Sequence, residues 1–200
     1  MTKEELINKH RDINVDGDWW YESVYEWFEE ECEKRGVAIT THQETHQTYG
    51  GKPVSRMVKD ITWSGFWSQG DGAAFGGKVV DLNKALGDLY LDYPILHKYV
   101  EELGGYRYCS WTEGRNNNIV FHGLEIEPIA NYLEDDHPFA EVWQEQLNKE
   151  HEEVENTLND LAGELCGLLY KALEDEYSHM TSDEAVWETI VANELDKEVA

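Results

Sequence analysis

Apolar positions change period several times along the chain, and each change marks an element. After a polar lead, Asp18 is placed to cap a helix running to about Arg35, with Trp20, Val24, Trp27, Phe28 and Cys32 at spacings of four, three, one and four. Gly36 supplies its stop. The opposite side carries Glu22, Glu26, Glu29, Glu30 and Glu33, so this helix is amphipathic and acidic. Val37 to about Thr48 alternates like a strand, which Gly50-Gly51-Lys52-Pro53 breaks. Between Lys59 and Val80, two β-rich arms flank Ser68-Gln69-Gly70-Asp71-Gly72, the pattern of a hairpin.

Leu82, Leu86, Leu89, Tyr90 and Tyr93 return to helical spacing, and Pro94 must kink that helix or start another carrying Leu96, Val100 and Leu103 to Gly104-Gly105. A second hairpin joins Tyr106–Thr112 to Ile119–Ile126 through a turn rich in Asn and Gly at 113–118. Asp135 or Asp136 with Pro138 then opens a long helix. Its seam is Leu147, His151, Val154, Leu158, Leu161, Leu165, Leu168 and Ala172. Continuous to about Tyr177, such a helix spans about 60 Å. Gly163 and Gly167 allow another helix to approach closely, although each lowers helix propensity by about 1 kcal/mol relative to Ala. Cys166, Leu169, Tyr170 and Leu173 widen the apolar surface, which favours packing within the chain. Homo-oligomerisation through the 147–172 seam is the alternative. A last helix begins near Thr181 or Ser182, with Ala185, Val186, Ile190 and Val191 as its apolar face.

This order predicts an α+β fold: a mostly antiparallel sheet of two hairpins plus a strand with helices packed on one face, then a long acidic C-terminal helix and a short final helix. The expected division is an α+β domain at 1–130 and an acidic helical region at 131–200.

Charge changes the picture most. The 200 residues carry 42 Asp and Glu against 16 Lys and Arg, a net charge of −26, while 8 Trp, 11 Tyr and 5 Phe supply a core that a disordered chain lacks. Residues 131–200 hold 20 acids and 3 bases, or −17; residues 1–130 hold 22 and 13, or −9. Direct binding to nucleic acid or to an anionic membrane is disfavoured, because both require neutralising phosphate. No signal-type segment and no apolar run near the roughly 18 residues of a membrane span is present, so a cytoplasmic chain is expected. Cys32, Cys109 and Cys166 are too few and too separate for a disulfide framework or a cysteine zinc site.

Off the seam of the long helix lie Glu141, Glu145, Glu152, Glu153, Asp160 and Glu164. Residues three or four apart on a helix are about 5 to 6 Å apart at Cβ, so such a row imitates successive phosphates. With Glu22, Glu26 and Glu29 it forms a candidate surface for a basic partner, namely a nucleic-acid-binding host or defence protein. The plainer alternative is a solvated helix face. Three bases in seventy residues, however, leave more self-repulsion than solubility requires.

Other chemistry is sparser. His42-Gln43-Glu44-Thr45-His46 lacks the spacing of a zinc protease, yet on a strand His42, Glu44 and His46 share one face, as a two-His-one-carboxylate metal site requires. The plainer reading is a polar exposed strand face. The Ser68–Gly72 loop offers backbone N–H groups, Ser68, Gln69, Asp71 and the neighbouring Trp67 to a small ligand, but has no phosphate-loop or dinucleotide spacing. The structural alternative is that Asp71 caps the turn. No catalytic residues and no cofactor are assigned.

The stretch Ser64-Gly-Phe-Trp-Ser-Gln-Gly-Asp-Gly-Ala73 resembles a group of little-characterised bacteriophage and prophage proteins that share S-G-F-x-S-Q-G-D-G-A. The helix Asp18-Trp-Trp-Tyr-Glu-Ser-Val-Tyr-Glu-Trp-Phe-Glu29 and Gly36 resemble the same group. The likeness covers about residues 14 to 125 and excludes the acidic C-terminal helices. It implies a phage-type origin and a host cytoplasm, and it transfers no activity. The leading expectation is therefore a non-enzymatic, phage-type acidic inhibitor or decoy that mimics nucleic acid. The runner-up is a small-ligand or metal-binding protein, enzymatic or not.

Overall fold

A computed structural model describes residues 1–47, 53–68, 71–101, 109–112, 120–122 and 140–198. In chain order the elements are α1 (Lys3–Lys9), α2 (Glu22–Lys34), β1 (Val37–Ile39), β2 (Thr41–Gln47), β3 (Pro53–Lys59), β4 (Ile61–Ser64), β5 (Gly72–Phe75) and β6 (Gly77–Val79). There follow α3 (Leu82–Leu86), α4 (Pro94–Glu101), β7 (Cys109–Thr112), β8 (Val120–His122), α5 (Ala140–Met180) and α6 (Asp183–Ala192). The fold is α+β, with small antiparallel sheets, a long C-terminal helix and a short final one. No helix among the described residues is long and apolar enough to cross a membrane.

Two compact units comprise residues 1–28 with 168–200, and residues 29–167. That division passes through α2 and α5 rather than at 130, and residues 123–139 lie outside the described part.

The first unit is helical. The expected polar lead is instead α1, started by a capping box: the Glu5 N–H donates to Thr2 Oγ1 at 3.1 Å, and the Thr2 N–H to Glu5 Oε2 at 2.8 Å. Leu6 and Ile7 are buried in one cluster with Val186 and Ile190 of α6. Ser182 caps α6, its Oγ accepting from the Ala185 N–H at 3.2 Å. The end of α5, whose carbonyls lack intrahelical donors, is closed from the N-terminal segment. Asn14 Nδ2 donates to Met180 O at 2.9 Å and Arg11 Nη1 to Thr181 O at 3.1 Å, which also places a cation at the negative end of the helix. Arg11 also pairs with Asp183.

The second unit contains the strands. Three extended segments, 37–47, 53–64 and 72–79, are each interrupted at one residue: Thr40, Asp60 and Gly76. Those three residues bond in a ring, Thr40 N–H to Gly76 O at 2.9 Å, Gly76 N–H to Asp60 O at 2.7 Å and Asp60 N–H to Thr40 O at 2.9 Å. At this junction the strands exchange partners. β2 pairs with β3 and β4 with β5 as separate ribbons, while β1, β6, β7 and β8 form a four-stranded sheet in the order β1-β6-β7-β8. Only glycine fits at 76, since a Cβ there would stand 2.4 Å from Thr40 Oγ1 and 2.9 Å from Asp60 Cβ.

The predicted first hairpin is therefore real only as β4–β5. Its outer arm, β6, leaves to join β1, with Val37 opposite Val79, and then β7. A hairpin absent from the sequence expectation, β2–β3, accounts for Pro53–Lys59. The second predicted hairpin is present as β7–β8, its turn at 113–118 outside the described residues.

Gly36 ends α2 with φ +71°, and its carbonyl accepts from the Val80 and Asp81 N–H groups at 2.8 and 3.1 Å. The apolar period from Leu82 to Tyr93 is broken at Gly87, after which Gly87–Asp92 tightens to 3-10 geometry. Pro94 starts a new helix, α4. Glu150, only 3% exposed, caps it from α5: Oε2 accepts from the Leu96 N–H at 2.7 Å, while Oε1 accepts from Gln146 Nε2 at 3.0 Å. Lys98 Nζ lies 4.4 Å above the Trp143 ring, so α4 and the start of α5 are joined by both charge and aromatic contact. Gly104-Gly105 and the start of the long helix at 135–138 lie outside the described residues.

On α5, Leu147, Val154, Leu158 and Leu165 are completely buried. His151, Leu161, Leu168 and Ala172 of the same seam are half-buried. Gly163 and Gly167 are exposed, with nothing within 4 Å of a Cβ placed on either, so no helix among the described residues uses them for close approach.

Candidate functional site

The acidic face of α5 is a consequence of its period. With the seam turned inward, Glu141, Glu145, Glu152, Glu153, Asp160 and Glu164 are all exposed. Two of them have partners. Glu145 Oε1 accepts from Lys149 Nζ at 2.8 Å, a bond that holds its carboxyl below the usual range, and Glu164 lies 3.5 Å from Arg35 Nη1. Glu141, Glu152, Glu153 and Asp160 make no ion pair among the described residues. On α2, Glu22 and Glu26 are exposed and likewise unpaired among the described residues, whereas Glu29 is half-buried and bonded to Lys59 Nζ at 2.6 Å. The expected group of nine carboxylates thus separates into three with a partner and six with no ion pair among the described residues.

Residues 65–68 gather around one carboxylate, that of Asp71. Asp71 Oδ2 accepts from the Trp67 and Ser68 N–H groups, each at 2.6 Å, and Oδ1 accepts from Ser68 Oγ at 2.8 Å; the Asp71 N–H returns to Ser68 O at 3.2 Å. The Ser68 bonds foremost hold the Asp71 carboxyl below its ordinary value. Gly65 approaches this carboxylate so closely that a Cβ would stand 2.8 Å from Oδ2. Phe66 stacks on Trp63 at 5.1 Å, and Trp67 is left 82% exposed. Of the proposed ligand set, Trp67, Ser68 and Asp71 come together and Gln69 lies outside the described residues. Asp71 accepts three bonds from the loop itself, as its turn-capping role requires.

The β2 strand puts His42, Glu44 and His46 on one face as its pleat requires, but not into one coordination shell. Glu44 Oε2 meets His46 Nε2 at 2.7 Å and accepts from Arg56 Nη2 at 3.2 Å; these bonds, His46 first, hold the Glu44 carboxyl low. His42 instead turns to Asp60, with Nδ1 2.5 Å from Oδ1 at the strand junction. Among the described residues no group of three His, Cys, Asp or Glu side chains is placed to hold a metal ion.

Residues 20–183 match the model of a family described as a domain of unknown function, DUF8835. The chain belongs to that family. The DUF8835 match takes in the motif loop, the strand junction and nearly all of α5. No curated protein and no solved structure matches the chain.

Two free thiols, Cys32 and Cys166, are buried. Burial, then the neighbouring Cys166, pushes Cys32 up to about 12, and burial pushes Cys166 up to about 11, so both remain protonated and inert at neutral pH. A feature missed from the sequence is the outer side of α2. Trp27 sits in the apolar period yet is 40% exposed, and Trp19 is 52% exposed. Their interleaving with Glu22 and Glu26 was the available signal.

Proposed function

We propose that the protein is a phage-type acidic inhibitor or decoy that acts in the host cytoplasm by occupying the basic surface of a nucleic-acid-acting host or defence protein. The observation that carries this reading is the outer face of α5. It presents Glu141, Glu152, Glu153 and Asp160 without ion pairs among the described residues, in a chain of net charge −26. Carboxylates left unpaired repel one another and cost folding stability, so their retention is best explained by a cation brought by a partner. Capture through such a face is fast and weakens steeply with salt.

The test is affinity capture from bacterial lysate with wild-type protein and with the triple variant Glu141→Lys, Glu152→Lys, Asp160→Lys. Wild type is expected to enrich nucleic-acid-binding proteins at low salt and release them at high salt, and the folded triple variant to lose them. Equal capture by both proteins, or none of that class by wild type, overturns the reading.

A further inference from the structure

We infer that the groove between α2 and α5 in the first unit is an arginine-binding subsite for that basic partner, with Trp27 as its aromatic wall; the inference rests on the partner being basic. The groove has a volume of about 340 Å³ and is lined by Ser23, Val24, Trp27, Ala172, Asp175 and Glu176. Glu26 immediately precedes Trp27 and Glu22 lies one turn before Glu26; both face solvent, and Trp19 is half-exposed just before the helix. Two exposed indoles and two exposed carboxylates thus lie within the short stretch 19–27.

An exposed indole bordered by acids is suited to a cation, because the ring face is the negative end of its quadrupole. The same molecule makes this pairing twice elsewhere: Lys3 Nζ lies 4.5 Å from the Trp187 ring centre and Lys98 Nζ 4.4 Å from that of Trp143. Among the described residues no cation is placed over Trp27. A guanidinium fits better than an ammonium, since its plane stacks on the indole while its N–H fork reaches a carboxylate such as Glu176. Asp175 is less available, being bonded to Lys171 Nζ at 2.7 Å. A second copy of this chain is a poor occupant, because two surfaces of the same strong negative charge repel.

The test titrates full-length protein with an arginine-only and a lysine-only peptide of equal length, read by calorimetry and by the indole N–H resonance of Trp27. The arginine peptide is expected to bind more tightly and to shift that resonance. Trp27→Leu should weaken the arginine peptide by about two- to five-fold and remove its advantage over lysine. Trp27→Phe should restore part of it, and Glu176→Gln should reduce it with the ring intact. Equal affinity for the two peptides, or an unmoved Trp27 resonance, overturns the subsite even if the α5 charge reversals abolish lysate capture. A Trp27-dependent arginine preference sustains it even if lysate capture fails, in which case only the inhibitor reading falls.

Discussion

Asp71 and the acids on the outer face of α5 are put to opposite uses. In the strand-bearing loop every oxygen of the carboxylate is bonded to neighbouring main chain or hydroxyl, and the result is a fixed turn that displays Trp67. On α5, four carboxylates stand in solvent with no cation partner among the described residues. The first arrangement serves the fold and the second opposes it. Acidity alone therefore identifies nothing; what separates the two sets is whether a carboxylate's bonds are already taken.

The contrast breaks most visibly where the committed region is most crowded. Gly36→Ala places a Cβ 2.2 Å from Asp81 O at a residue with φ +71°, and is expected to cost on the order of 3 kcal/mol or more. Chemical denaturation checks it; a variant as stable as wild type would refute the tight α2–β1 connection. Glu150→Leu strands the buried Leu96 N–H and is expected to cost about 1 to 3 kcal/mol, measured the same way, with protection of the α4 amides lost first.

Asp71→Ala should have a local effect: faster hydrogen exchange at Trp67 and Ser68 with the rest of the chain unchanged. The pH dependence has a definite sign. The folded carboxyl binds its proton less readily than the unfolded one, so its contribution is complete above the ordinary value of 3.8 and disappears as pH falls through the lower folded value. Loop order that vanished well above 3.8 would contradict this. The smallest stability effect is expected for Glu152→Lys, Glu153→Lys and Asp160→Lys. Each should lie within about 0.5 kcal/mol of wild type, on the stabilising side, as self-repulsion is relieved. A substantial loss would mean that the face is committed after all.

Helix α6 and its Ser182 cap, the β7–β8 hairpin and the long amphipathic helix were legible because each signal is local: a cap, a turn, a period. The capping box of α1 was equally local, but a seven-residue helix with two apolar side chains is stable only through α6, nearly two hundred residues away. The strand junction was not legible, since nothing near Thr40 or Asp60 announces a change of partner; Gly76 alone carries a trace of it. For the candidate site, the sequence placed all six α5 acids outside. It had no means of separating Glu164 from its neighbours, because Arg35 lies more than a hundred residues earlier.

What the sequence by itself determined is which residues face inward along each helix and how much charge the chain must carry outward, because period and composition are properties of the chain. Tertiary structure decided which of those charges are spent between elements, whereas Glu145 and Asp71 find their partners within one helix and one loop. Arg35 and Lys59 reach Glu164 and Glu29 only when segments of different elements meet, and the carboxylates left over are those that no such meeting among the described residues supplied with a cation.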